Sequence, residues 1–150
     1  MISCGEVQKA QSQLEIRSFQ TKEFDVADTK MVMKAIVDTL QDEGFSLKNV
    51  DTTLGIINAT KEVDIEDKYA VFFATLLAGN KARWKKLQNL EASVSVTPIG
   101  NRTKVRVNFS MKLIDNEGKT IKVETVKDPN YYQDFFSKVS KSLFLLQEKI

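Results

Sequence analysis

One stretch of strictly alternating side chains constrains the fold more than any other part of the sequence. Residues 104–112 alternate between apolar members, which are Val105, Val107, Phe109 and Met111, and polar members, which are Lys104, Arg106, Asn108, Ser110 and Lys112. Successive side chains of a strand point to opposite faces of a sheet, so this spacing predicts a strand with one face in the core and one in water.

The neighbouring segments predict two partner strands. Val94 and Val96 alternate with small polar residues before a turn around Gly100 and Asn101, and the pattern continues at Ile121 and Val123 after a second turn at 115–118. Short alternating runs separated by turn residues indicate β-hairpins. The sequence therefore predicts a three-stranded antiparallel meander.

Two amphipathic helices are predicted around this meander. The first begins at the N-cap Asp28 and ends at Gly44, and the last begins at Asp128 with Pro129 at its first position. Their apolar stripes are Val32, Met33, Ile36, Val37 and Leu40 in the first helix, and Tyr132, Phe135, Phe136, Val139, Leu143 and Leu146 in the last.

The other segments complete the prediction. We expect a strand from Leu14 to Phe24, a hairpin formed by residues 45–50 and 55–61, and a short buried helix in the apolar run from Tyr69 to Ala78. The order of elements predicts an α+β fold, with an antiparallel sheet and helices packed on one face. Residues 1–12 are predicted to be a flexible leader or tether, and residues 13–150 a single domain.

The composition removes several kinds of chemistry. The chain has no histidine and one cysteine, which excludes Ser-His-Asp and Cys-His catalysis, Cys/His zinc sites and an internal disulfide. We therefore expect no catalytic residue, no metal and no cofactor, although an enzyme that uses carboxylates, tyrosines and lysines stays open as an alternative. The net charge of +2 does not indicate a nucleic-acid partner.

Two groups of basic residues are candidate partner-binding positions. One surrounds the single tryptophan and comprises Lys81, Arg83, Trp84, Lys85 and Lys86; the other is the polar side of the alternating strand, with Lys104, Arg106 and Lys112. Such residues are attractive to an anionic partner, and an apolar run next to lysines also resembles an element that lies on a lipid surface. The alternative for the first group is a solvated helix end beside a core helix.

The N-terminal residues Ile2-Ser3-Cys4-Gly5 resemble the end of a bacterial lipobox, the motif that precedes a lipid-modified cysteine. The resemblance implies that Cys4 is the lipid attachment site. The chain would then be anchored in the cell envelope, on the periplasmic side of the outer membrane. The alternative is a cytoplasmic protein with an incidental cysteine.

A second resemblance covers residues 24–61, where the helix ends Leu40-Gln41-Asp42-Glu43-Gly44-Phe45 and a hairpin closes on residues 54–61. This pattern resembles small uncharacterised bacterial lipoproteins, and the order of elements is similar to the helix-grip domains of NlpB-type lipoproteins of outer-membrane protein assembly. The position of Cys4, together with the missing catalytic residue types, favours a non-enzymatic envelope lipoprotein whose domain is a periplasmic protein-protein interaction module.

A binding module for a small apolar ligand is the alternative function. The ligand would lie between the C-terminal helix and the sheet, against Phe135, Phe136, Phe109 and Val107. An enzyme of unrecognised type is the third hypothesis, and it predicts a cleft with convergent carboxylates.

Overall fold

A computed structural model describes residues 13–63, 88–114 and 119–148 of the chain. Residues 13–20 form helix α1. The other elements, in chain order, are β1 (Thr21–Phe24), α2 (Thr29–Asp42), β2 (Ser46–Asp51), β3 (Ile56–Val63), β4 (Gln88–Ile99), β5 (Arg102–Ile114), β6 (Thr120–Thr125) and α3 (Pro129–Glu148). None of the described helices is long and apolar enough to cross a membrane.

The six strands form one antiparallel sheet in the order β1-β5-β4-β3-β2, and β6 pairs with β5 beside β1. β4 and β5 pair along their whole length, from Gln88 opposite Leu113 to Ile99 opposite Arg102. Val105, Val107 and Phe109 face α2 and α3 and are buried in the core. The predicted α+β fold, with helices on one face of an antiparallel sheet, is confirmed. Its finer description as a helix-grip domain stays a prediction.

Helix α2 begins and ends where the sequence predicts. The Asp28 carboxylate accepts a hydrogen bond from the Met31 amide at 3.2 Å, as an N-cap does. At the other end Gly44 has φ +93°, and the Phe45 amide donates to the Leu40 carbonyl at 2.9 Å. This second bond spans the end of the helix and satisfies a carbonyl that would otherwise have no partner.

Helix α3 is also capped as predicted, because the Asp128 carboxylate accepts from the Asn130 amide at 3.1 Å. Its buried side chains are Tyr132, Phe135, Phe136, Val139 and Leu143. The Phe135 and Phe109 rings meet edge to face with centroids 5.2 Å apart, an arrangement that aromatic pairs prefer. The long helix therefore lies against β5, the longest strand of the sheet.

The predicted strand from Leu14 to Phe24 is wrong in its first part, because residues 13–20 are helical and strand pairing begins at Thr21. Leu14 is 64% exposed, whereas Phe19 packs against Tyr132 and Gln20 is buried. The apolar alternation at Leu14 and Ile16 was too short to specify a strand. Contacts with α3 favour the helical spacing that brings Ile16, Phe19 and Gln20 to one side.

Several predictions fall outside the described residues. They are the leader of residues 1–12, the helix from Tyr69 to Ala78 and the turn at 115–118.

A gap in one edge of the sheet is filled by a side chain of α3. β1 pairs with residues 103–106 of β5 and β6 with residues 110–114, so neither reaches the segment between them. There the Tyr132 hydroxyl accepts from the Phe109 amide at 3.2 Å and from the Gln20 side-chain amide at 3.1 Å, and donates to the Val126 carbonyl at 2.8 Å. A hydroxyl has one donor and two acceptor positions, so all three are used.

A close approach between two chain segments explains one glycine. Gly55 has φ +70°, and its carbonyl accepts from the Val96 amide at 2.7 Å. A Cβ at this position would lie 2.1 Å from the Val96 carbonyl oxygen. By contrast, Gly100 has φ +57° with nothing within 4 Å of such a Cβ.

We expect Gly55→Ala to destabilise the fold by about 3 kcal/mol or more, because it adds a steric clash to the backbone strain. Gly100→Ala should cost about 1–2 kcal/mol, since it adds the strain alone. Urea unfolding of both variants measures the difference. Equal losses would show that the contact with Val96 relaxes without cost.

The hydroxyl of Tyr132 offers a second test. Tyr132→Phe keeps the ring but leaves the Phe109 amide, the Gln20 amide and the Val126 carbonyl short of a partner. We expect the free energy of unfolding to fall by about 1–3 kcal/mol. Ser137→Ala, which removes an exposed hydroxyl from the same helix, is the matched control and should change it by less than about 0.5 kcal/mol.

The same variant should alter the response to alkaline pH. Burial raises the pKa of the Tyr132 phenol above its ordinary 10, against hydrogen bonds from Gln20 and the Phe109 amide, which lower it. Above about pH 10 the unfolded chain releases this proton while the folded chain keeps it, so stability falls by up to about 1.4 kcal/mol per pH unit. Tyr132→Phe should show a shallower fall, and identical slopes would contradict the assignment.

Candidate functional site

The sheet face opposite α2 and α3, here called the outer face, carries polar side chains. Ser93, Ser95 and Thr97 of β4 and Lys104 and Arg106 of β5 are all exposed there. Residues paired directly across an antiparallel ladder share a face, and Ser95 pairs with Arg106 and Thr97 with Lys104. The alternation that buries Val105 and Val107 therefore places these cations together in solvent.

The predicted basic residues of β5 all lie on the outer face, but their charges differ in surroundings. Lys112 forms a salt bridge with Glu91 at 2.9 Å. Arg102, the first residue of β5, forms one with Glu23 at 3.2 Å. Within the described ranges, Lys104 and Arg106 have no carboxylate within 4 Å. These two are the cations best placed to meet an anionic partner, and that role stays a prediction.

The other predicted site residues lie outside the described residues. They are Cys4 and the basic group Lys81, Arg83, Trp84, Lys85 and Lys86.

A cleft of about 390 Å³ lies where α1 meets the outer face, next to the gap that Tyr132 fills. We call it the α1 cleft. Its lining residues are Gln13, Ile16, Arg17 and Gln20 of α1, Arg106 and Asn108 of β5, Thr125 of β6, and Lys127. The cleft thus gathers side chains from segments far apart in the sequence.

The back of the α1 cleft is held by hydrogen bonds to the core. The Gln20 side-chain nitrogen donates to the Tyr132 hydroxyl at 3.1 Å and to the Asn108 side-chain oxygen at 3.4 Å. Because the oxygen of Asn108 is thereby engaged, its Nδ2 group is left as the donor available to the cleft. A buried contact thus fixes the Gln20 side chain, which makes a longer, part-buried contact with the exposed Asn108.

The charge of the α1 cleft is of one sign. Arg17, Arg106 and Lys127 line it, and none of the lining residues is acidic. With the Asn108 nitrogen, the charged side chains offer several N–H donors and no charged acceptor. Such a set suits an anion with several oxygen atoms.

Sequence reasoning identified Arg106 but missed Arg17 and Lys127. The signal that could have found Arg17 is the spacing of Gln13, Ile16, Arg17 and Gln20, which places all four on one side of a helix. The predicted strand concealed this spacing. Lys127 lies between β6 and α3, where no local pattern indicates a neighbour.

The residues expected to hold an apolar ligand form the core instead. Phe135, Phe136, Phe109 and Val107 are all buried, with Val107 completely inaccessible. The space beside Phe109 and Phe135 measures about 20 Å³, which is room for about one water. In the described part of the chain, the layer between α3 and β5 is therefore packed. A groove of about 610 Å³ does lie beside Phe19 and Phe136, between α3 and β1, so the apolar ligand stays an alternative prediction.

A second polar cluster joins the two long helices on the other side of the molecule. Lys138 of α3 contacts Glu43, at the end of α2, at 2.6 Å and Asp134 at 3.0 Å. Hydrogen bonds to Glu43 and then Asp134 raise the pKa of Lys138. Its partners satisfy its charge, so we assign it a structural role. Among the described residues, no group of three or more acidic or cysteine side chains could hold a metal ion.

Two solved structures are similar to this chain. One is a DUF4468 family protein from Bacteroides ovatus ATCC 8483, with a TM-score of 0.44, 11% identity, and coverage of 82% of this chain and 84% of that chain. The other is a TBP-like protein from Parabacteroides distasonis ATCC 8503, with a TM-score of 0.41, 12% identity, and coverage of 82% and 90%. Neither similarity carries a residue or a function over to this chain.

No protein-family model and no curated protein sequence matches the chain. Neither solved structure is described as an NlpB-type protein or as a lipoprotein. Both resemblances of the sequence analysis therefore stay predictions.

Proposed function

We propose that this chain is a non-enzymatic lipoprotein of the bacterial cell envelope. It is attached to the periplasmic side of the outer membrane through a lipid on Cys4. Its domain acts as an interaction module, and the outer face binds an acidic surface of another envelope protein. The resemblance of residues 2–5 to a lipobox supports the attachment, and the polar residues before α1 are suited to a tether.

The observation that carries the interaction is the exposed outer face. Lys104 and Arg106 are solvated there without a carboxylate within 4 Å in the described ranges, beside the exposed hydroxyl residues Ser95 and Thr97. Charge complementarity brings a partner to such a surface and fixes its orientation. An acidic protein surface is therefore the partner that this chemistry favours.

The attachment is tested on protein purified from its native host. We expect the N-terminal peptide to carry an acyl lipid on Cys4, and the protein to sediment with membranes. Cys4→Ala should release it into the soluble fraction, because the anchor is lost. Mass spectrometry and fractionation give both readouts. An unmodified Cys4 in soluble protein would contradict the proposal and favour a cytoplasmic protein.

The interaction is tested by placing a photo-crosslinking residue at Thr97, directly opposite Lys104. In intact cells we expect an adduct with an envelope protein through an acidic segment, identified by mass spectrometry. Lys104→Glu should reduce the adduct at least about tenfold, since it reverses a charge at the contact. Lys141→Glu, an exposed change on α3, should leave it intact.

Two results would overturn the interaction through the outer face. One is the absence of an adduct from Thr97, and the other is an adduct that survives Lys104→Glu.

A further inference from the structure

We propose that the α1 cleft is a binding site for a phosphate dianion, either inorganic phosphate or the terminal phosphate monoester of a small molecule or lipid headgroup. The site shares Arg106 with the outer face proposed above for the protein interaction, but its lining includes neither Lys104 nor Thr97.

Charge is the first argument. Arg17, Arg106 and Lys127 bring three positive charges to a cleft in which none of the described lining residues is a carboxylate. Two other cations of the same strand do have a carboxylate partner, since Arg102 pairs with Glu23 and Lys112 with Glu91. Cations gathered without a counter-ion repel one another, and a bound dianion would offset that repulsion.

The donors are the second argument. Guanidinium groups present N–H donors in a planar fork that matches the oxygens of phosphate, and a lysine adds a compact charge. Asn108 supplies a neutral donor because Gln20 engages its oxygen. A carboxylate has two oxygens and one charge, whereas a phosphate dianion has more acceptors and a second charge. The cleft therefore favours phosphate over a simple carboxylate.

The third argument is that part of the site is fixed before a ligand arrives. Gln20 is almost fully buried. Its side-chain nitrogen donates one hydrogen bond to the Tyr132 hydroxyl and another to the side-chain oxygen of Asn108. A donor oriented by buried contacts loses little freedom when it binds. The volume of about 390 Å³ lies within the usual range for small-molecule sites, so a phosphate with a small organic group has room.

The experiment is calorimetric titration of the full chain with inorganic phosphate and with glycerol 3-phosphate, and sedimentation with vesicles. The vesicles are phosphatidylcholine alone or with phosphatidic acid. We expect saturable binding to at least one phosphate probe. Arg106→Gln and Arg17→Gln should each weaken it about tenfold or more, because each removes a charge-assisted contact.

Lys104→Gln is the matched control, since it removes a cation two residues away on the outer face. We expect it to weaken the affinity much less than either arginine variant does, because Lys104 does not line the cleft. Binding of the soluble probes would identify a free phosphate compound as the source, and binding of phosphatidic acid vesicles alone would identify a lipid headgroup. Either result supports the site if the two arginine variants lose it.

Nuclear magnetic resonance of the unmodified protein gives a readout that does not depend on the folding of a variant. The side-chain amide signal of Asn108 should shift on addition of the phosphate probe. The proposal is overturned if no probe binds, if Lys104→Gln weakens binding as much as Arg106→Gln, or if the Asn108 signal stays in place. The crosslink from Thr97 is independent of all three results.

Discussion

The hydroxyl of Tyr132 is the group on which the edge of the sheet depends. β5 is longer than either strand beside it, so β1 and β6 share its edge and leave a segment of backbone between them. A buried amide without a partner is costly, and α3 supplies that partner from its own side chain. One phenol thus connects β5, the long helix, the segment after β6 and, through Gln20, the first helix.

This connection also links the core to the surface. The Gln20 side chain donates to the buried Tyr132 hydroxyl and also to Asn108 in the α1 cleft. A contact in the interior therefore helps to orient the Asn108 side chain. The arginines and the lysine around it come from α1, β5 and the segment after β6, and they line the same cleft.

Local periodicity explains what the sequence could predict. The alternation around Val107 and the stripes around Ile36 and Phe136 span enough residues to specify a strand and two helices, and the caps at Asp28 and Asp128 mark where the helices start. Helix α1 was missed because its short sequence also fits the alternation of a strand, and the contacts that favour the helix are with Tyr132, more than a hundred residues away along the chain. For the same reason the outer cations of β5 were found, whereas Arg17 and Lys127 were missed. Arg17 and Lys127 come close to Arg106 only in the tertiary structure.

The pairing of β1 has a consequence for the order of folding. Helix α2 and the hairpin of β2 and β3 are close neighbours in sequence, so their contacts need only short loops. Thr21–Phe24, in contrast, can pair only with residues 103–106, and the hydrogen bond of Gln20 needs Tyr132. Contacts between such distant residues form slowly because a long loop must close first. During synthesis, β1 is therefore made well before the strand with which it pairs.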